Sequence, residues 1–307
     1  MSHMDQGTTG RRPDLQASAE NTAEAIAFLR DGTSPGPSLS LKDMAAMARK
    51  LRRHIITMTG KAGSGHPGGS LSATEIVTAL YFHVLRHDPS NPRWECRDRF
   101  ILSKGHAAPV LYAALAECGY FPTEELQTLR TLGSSLQGHC DVTTTTGVEM
   151  SSGSLGQGLS IGVGVALAGR LDRSDYRVYV LLGDGECDEG QVWEAAMACA
   201  HFKLDNLVAI VDRNGQQIDG WTKDVMGLDP LDEKWRAFGW HTVDVDGHDL
   251  SALLAGIEEA KRVKGGPSVI IAHTVKGKGV SFMENNPDFH GKAPSAEEVD
   301  RALRELE

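Results

Sequence analysis

Residues 177–220 read RVYVLLGDGECDEGQVWEAAMACAHFKLDNLVAIVDRNGQQIDG, and their pattern decides the fold. Val178 to Leu182 is a short, β-branched, apolar run with the character of a buried strand. Gly183-Asp184-Gly185 breaks the run, and glycines there let the backbone turn sharply and come close to a ligand. An acidic turn leads into a helix expected from about Gly190 to Phe202. A second buried run, Leu207 to Val211, ends at Asp212-Arg213-Asn214. Strand, helix and strand in this order make one unit of an α/β fold with a parallel sheet. The unit puts Asp184 and Asn214 at the carboxyl ends of two parallel strands, the edge along which open α/β sheets bind ligands. A carboxylate and an amide oxygen meeting there suit a hard divalent ion such as Mg²⁺, which takes oxygen donors and leaves some of its shell to a phosphate.

The totals narrow the class. The 307 residues have room for one large or two medium domains, and 40% hydrophobic with 23% charged residues is ordinary for a globular protein. A formal charge of −10 argues against a nucleic-acid partner. No apolar run approaches the length of a membrane span, and no apolar N-terminal signal is present, so a membrane partner is not expected. The cysteines (Cys96, Cys118, Cys140, Cys187 and Cys199) are scattered, odd in number and free of CxxC pairs. That argues against a zinc site or disulfide frame and points to a reduced, cytoplasmic enzyme component. Cys187 reads as a buried bystander beside the Gly-Asp-Gly turn.

Outward from the central unit, residues 1–38 read as a flexible extension. Met1-Ser2-His3-Met4 resembles a tag remnant, Leu15 to Arg30 suits a short helix, and residues 32–38 form a Gly/Ser/Pro linker. Residues 39–307 read as one domain. It begins with a helix from Leu41 to Thr59, a glycine-rich loop over Gly60–Ser70 and a second helix from near Leu71. His66, held before Pro67 in that loop, is suited to exchange a hydrogen bond with a substrate oxygen near neutral pH. Phe100 to Gly105 reads as a strand, followed by a helix from Ala107 to Gly119. His106 and Lys104 sit at that strand-to-helix turn, where a diphosphate is well received. Gly138-His139-Cys140-Asp141 and Gly147–Gly158 follow, then a helix to about Arg170. The six glycines between Gly153 and Gly169 are costly in an exposed helix, at about 1 kcal/mol each, so close packing or ligand approach must compensate. A strand from Trp240 to Val245, a helix from Asp249 to Val263, a strand from Pro267 to Thr274 and a polar helix from Ser295 to Glu307 complete the chain.

Five of these stretches together resemble one family. The GDG…N spacing looks like the thiamine diphosphate motif. RFILSKGHAAPVLYAALAECGYF (99–121) is similar to transketolases almost residue for residue, and GHPG (65–68), GSLGQG (153–158) and the KGKG (276–279) with FHGK (289–292) pair follow in the family's order. The resemblance implies the parallel-sheet thiamine diphosphate-binding fold with helices on both faces. It implies thiamine diphosphate and Mg²⁺ (or Ca²⁺ or Mn²⁺) as cofactors, the cation held by Asp184, Asn214 and the backbone carbonyl of Gln216. His106, Lys276 and His290 would reach the diphosphate, and Gly153, Ser154 and Leu155 would lie against the thiamine rings, with Gly185 and Ile218 also in the cofactor set. His66, His139 and His290 would face the sugar. Glu189 matches a carboxylate that communicates across the subunit interface with the partner's catalytic glutamate, and Glu194 is a weaker candidate for the same network. The chain departs from the family at Cys140, where many members have proline, and at Gln216, where the side chain is usually apolar.

The resemblance covers only the family's first half. The pyrimidine-binding domain, with the glutamate that activates the cofactor and most arginines that grip a sugar phosphate, has no counterpart in this sequence. The expectation is therefore the N-terminal subunit of a split transketolase, passing a two-carbon ketol unit from a ketose to an aldose with a separate C-terminal subunit, in an α₂β₂ assembly. The alternatives are a 1-deoxyxylulose-phosphate synthase-like or 2-oxo acid dehydrogenase-like thiamine enzyme, or a non-catalytic half kept as a binding or regulatory protein. The close match at SKGHAAPVLY and FHGK favours transketolase.

Overall fold

The computed structural model describes residues 38–307 apart from Asp219; the helix expected over Leu15–Arg30 and the tag and linker, all but Ser38, lie outside the described residues. In chain order the elements are α1 (Leu41–Ala62), α2 (Pro67–Ser72), α3 (Thr74–Ala79), β1 (Arg99–Leu102), α4 (Ala108–Cys118) and α5 (Gln157–Leu171). They continue with β2 (Val178–Gly183), α6 (Gly190–His201), β3 (Leu207–Arg213) and a small hairpin of β4 (Gln216–Gln217) and β5 (Gly220–Trp221). The last are α7 (Thr222–Val225), α8 (Leu231–Ala237), β6 (His241–Asp246), α9 (Leu250–Arg262), β7 (Ser268–His273) and α10 (Ala296–Glu305). The main sheet runs β1-β2-β3-β7-β6 with every neighbouring pair parallel.

Helices cover both faces, which is why the strands are unbroken apolar runs: each side chain has a core to enter, whichever way it points. Along β2, Val178, Val180 and Leu182 enter one core with α5, α6 and α8, while Tyr179 and Leu181 enter the other with α1, α4 and α9. The same alternation in β3 sends Leu207, Ala209 and Val211 one way and Val208 and Ile210 the other. The α/β architecture expected from the central unit is borne out.

Two boundaries differ from expectation for local reasons. Helix α1 runs past Thr59 to Ala62 and ends at Gly63, whose left-handed backbone sends its N–H to the Gly60 carbonyl, while Gly60 itself lets α10 pack close: a Cβ there would lie 2.3 Å from Val299 Cγ2. Helix α2 starts at Pro67 rather than Leu71, since proline's fixed φ suits the first helical position and its missing N–H costs nothing there.

The glycines of α5 divide into two kinds. A Cβ on Gly162 would stand 2.6 Å from Val180 Cγ2, so this glycine lets the helix lie on the sheet, whereas a Cβ on Gly164 meets nothing within 4 Å. Gly162→Ala should therefore overpack the core and destabilise the chain by about 1–3 kcal/mol. Gly164→Ala should raise its stability by up to about 1 kcal/mol. Denaturant unfolding of the two variants checks this, and shifts of the same sign would contradict it.

Candidate active site

The register Gly183↔Asp212 between β2 and β3 brings Asp184 and Asn214 off the sheet edge side by side. Asp184 Oδ1 accepts from the Gly185 N–H at 2.9 Å and Oδ2 from the Gly215 N–H at 2.6 Å. Asn214 Nδ2 donates to the Asp212 carboxylate at 3.2 Å, and its Oδ1 accepts from the Gln216 N–H at 3.1 Å, which fixes the way the amide faces. Burial and the neighbouring Asp212 charge raise the Asp184 pKa to about 7 against the pull of its two N–H donors. A carboxylate so placed is stabilised by a cation. Among the described residues no group of three or more His, Cys, Asp or Glu side chains is arranged to hold a metal. A cation at this pair must therefore draw the rest of its shell from backbone, water or a bound phosphate, the habit of Mg²⁺.

Under this pair lies a buried charge network. Asp212 is fully buried and receives Lys104 Nζ, Ser72 Oγ at 2.6 Å, Thr274 Oγ1 and Asn214 Nδ2 at 3.2 Å. Burial would raise its pKa, but the Lys104 charge and these donors hold it below the usual carboxylate range. Lys104 Nζ also donates to the Gly69 carbonyl at 2.9 Å. The sequence reading offered Lys104 to a diphosphate; Lys104 lines the cleft, and its ammonium, engaged by Asp212, ties β1, α2 and β3 together at the cleft floor.

Four histidines from four separate loops meet above it. His66 caps α2, His106 sits in the turn after β1, His139 follows Gly138, and His290 lies in the turn Pro287–His290. The His66 ring centroid is 5.4 Å from His106, 6.0 Å from His139 and 5.5 Å from His290, and His106 is 5.1 Å from His290. Burial first, and nearby positive charge second, keep all four neutral at pH 7, with His66 lowered to about 4 and His290 to about 3. Lys276 Nζ donates to His290 Nδ1 at 2.8 Å, so the neutral ring carries its proton on Nε2 as a donor. Lys276 is 2% exposed and forms no ion pair among the described residues; burial and the Lys104 charge lower its pKa to about 8. A buried, unpaired ammonium is costly unless an anion joins it.

One cleft is lined by His66, His106, His139, Gly153, Leu155, Asp184, Gly185, Asn214, Gln216, Ile218, Lys276 and His290. Ser154 and Glu189 do not line it and are exposed. Glu189 instead packs beside the Gly156 turn, where a Cβ on Gly156 would lie 2.8 Å from its own Cβ. Cys187 is buried, as expected for a bystander, and the Cys140 thiol is pushed by burial up to about 12 and is inert. Sequence reasoning missed Glu186. Its carboxylate turns inward and receives Ser103 Oγ, the Gly156 N–H at 2.9 Å and the Gly183 N–H at 3.0 Å, joining β1, the Gly153–Gly158 turn and β2 at the cleft wall. Burial raises its pKa against those donors. Glu186, Asp188 and Glu189 look alike in sequence, and only burial separates them.

Gly105 shows how closely these loops approach: a Cβ there would lie 2.5 Å from Ser152 Oγ and 2.7 Å from the Gly153 nitrogen. With that geometry established, comparison with known proteins is direct. Residues 42–306 match the family described as transketolase, thiamine diphosphate binding domain. The chain belongs to the transketolase family. It is 48% identical over 265 residues to the 6-deoxy-6-sulfo-D-fructose transketolase subunit SqwG of Clostridium sp. (strain MSTE9), covering 86% of this chain and 96% of that one. It is 41% identical over 268 residues to one subunit of the apulose-4-phosphate transketolase of Phocaeicola vulgatus, covering 87% and 95%. The crystal structure of transketolase from Campylobacter jejuni superposes with a TM-score of 0.82 at 33% identity, covering 87% of this chain but 43% of that one. The resemblance drawn from the five motifs is borne out, and with it the transketolase-type transferase and the thiamine diphosphate-binding domain.

Proposed function

We propose that this chain is the diphosphate-binding subunit of a split transketolase, moving a two-carbon ketol unit from a ketose, or ketose phosphate, to an aldose. The observation that carries this reading is one of extent. The chain matches nearly the whole of two proteins named as transketolase subunits, but 43% of the Campylobacter jejuni transketolase chain. The pyrimidine-binding half would then be a separate C-terminal subunit, and we take the assembly as α₂β₂. Exposed apolar side chains in the segment after Gln216 agree with a docking surface: Ile218, which lines the cleft, and Trp221 and Met226 further along are 66%, 41% and 60% exposed.

The residues present fit thiamine diphosphate with Mg²⁺, Ca²⁺ or Mn²⁺. Asp184, Asn214 and the Gln216 carbonyl would hold the cation, and His106 and Lys276 the diphosphate, which supplies the anion that buried Lys276 lacks. When bound, the cofactor supplies the nucleophilic carbon and electron sink for breaking the bond beside a ketose carbonyl. The chain's own part is positional and protonic. Neutral His66, His139 and His290 are available to exchange hydrogen bonds with sugar oxygens without bringing charge into the cleft. Arg130 Nη2 lies 3.4 Å from His66 Nδ1, which leaves the His66 proton on Nε2, as in His290. Glu189 and Ser154 would act at the partner-facing rim. The relatives' substrates are a sulfonated and a phosphorylated sugar by name, so a ketose with an anionic tail is the substrate class we favour. The five free cysteines support a reducing, cytoplasmic setting. Among the described residues no helix is long and apolar enough to cross a membrane.

The test is reconstitution. The chain mixed with its candidate partner, thiamine diphosphate, Mg²⁺ and a ketose phosphate should turn over, and the chain without the partner should not. Full turnover by the chain alone would overturn the split reading.

A further inference from the structure

Gln216 is the one metal-site position at which the sequence departs from its family in chemistry, and the structure gives that departure a consequence. The residue is 3% exposed and lines the cleft beside Asn214, yet neither Nε2 nor Oε1 of its carboxamide has a hydrogen-bond partner among the described residues. Its backbone N–H is already committed to Asn214 Oδ1 at 3.1 Å, so the orphaned groups belong to the side chain alone. Buried amides left without partners are rare and unfavourable, and a native structure keeps one where something else comes to satisfy it. The same cleft is lined by Asp184, Asn214 and Gly185, the groups assigned above to a cation and its diphosphate.

We infer that the Gln216 side chain is an additional ligand of the diphosphate–cation unit, distinct from the role of its backbone carbonyl. Nε2 donates to a phosphate oxygen and Oε1 accepts from a water on the cation. A carboxamide can do both at once, which the aliphatic side chain usual at this position cannot. The inference rests on the site reading above and adds a residue to it. The consequence is a trade: the amide weakens the ligand-free chain and strengthens the loaded one.

The trade gives two readouts with opposite signs, neither of which needs turnover. Gln216→Met keeps length and volume but removes both polar atoms; Gln216→Leu is a second variant of the same kind. Titration of the full chain with inorganic pyrophosphate and Mg²⁺ by calorimetry should give a dissociation constant raised about tenfold in each, the scale of one or two net hydrogen bonds. The melting temperature of the ligand-free chain should rise in the same variants. Unchanged pyrophosphate affinity in a folded variant overturns the inference. So does a lowered ligand-free melting temperature, or failure of both variants to fold, because each would mean that the amide serves the fold instead. Asp184→Ala separates the two levels of the argument. If it binds like the parent, or the parent binds no pyrophosphate, the site reading falls and this inference with it; if only the Gln216 variants bind like the parent, the site reading stands alone.

Discussion

Replacing Lys104 by methionine should destabilise the chain by about 3–5 kcal/mol, the usual cost of stripping one partner from a buried ion pair. Lys104 and Asp212 are 1% and 0% exposed, and the lysine is the only cation bonded to that carboxylate among the described residues. Methionine matches the lysine stem in length, so packing changes little and the loss reports the uncompensated charge. Asp184 beside it makes matters worse, since two buried carboxylates would then repel each other without the Lys104 charge between them. Chemical denaturation measures the effect, and a loss below about 1 kcal/mol, the worth of an exposed pair, would contradict it. Combining Lys104→Met with Asp212→Asn should recover much of the stability, because the orphaned charge is then gone.

Asp184→Ala should weaken binding of thiamine diphosphate with Mg²⁺ by more than about 100-fold, since even residues that only support a metal ligand are worth 10–100-fold. The fold should survive, because among the described residues this carboxylate bonds only the N–H groups of Gly185 and Gly215 at the sheet edge. Lys104 and Asp184 should therefore differ: loss of the first is expected to cost stability, loss of the second affinity. Calorimetric titration measures the loss, and near-parental affinity in a folded Asp184→Ala chain would remove Asp184 from the metal site.

The sequence made the sheet and most of the cleft legible for a simple reason. Strands buried on both faces must be continuous apolar runs, so VYVLL and LVAIV announce themselves and fix where Asp184 and Asn214 emerge. The histidines were legible because the short motifs that hold them, GHPG, SKGH, GHC and FHGK, resemble those of transketolases. Glu186 and the Lys104–Asp212 pair were not, because inward turning of a charge depends on partners 30 to 108 residues away in sequence. The helix α8 went unread too: Leu231 and Trp235, four residues apart, bury one face of a segment too short for periodicity to declare. Gln216 is the intermediate case, visible in sequence as an oddity and given meaning only by its burial.

The central claim is that half of a shared pocket holds a cation-bridged diphosphate at the β2–β3 edge. Crystals of the chain with its partner subunit, grown with thiamine diphosphate and Mn²⁺ in place of Mg²⁺, test it by anomalous scattering. The account predicts a manganese peak between the Asp184 carboxylate and the Asn214 amide oxygen, with the phosphates beside His106 and Lys276. A cofactor bound elsewhere, with that pair left without metal, would contradict it.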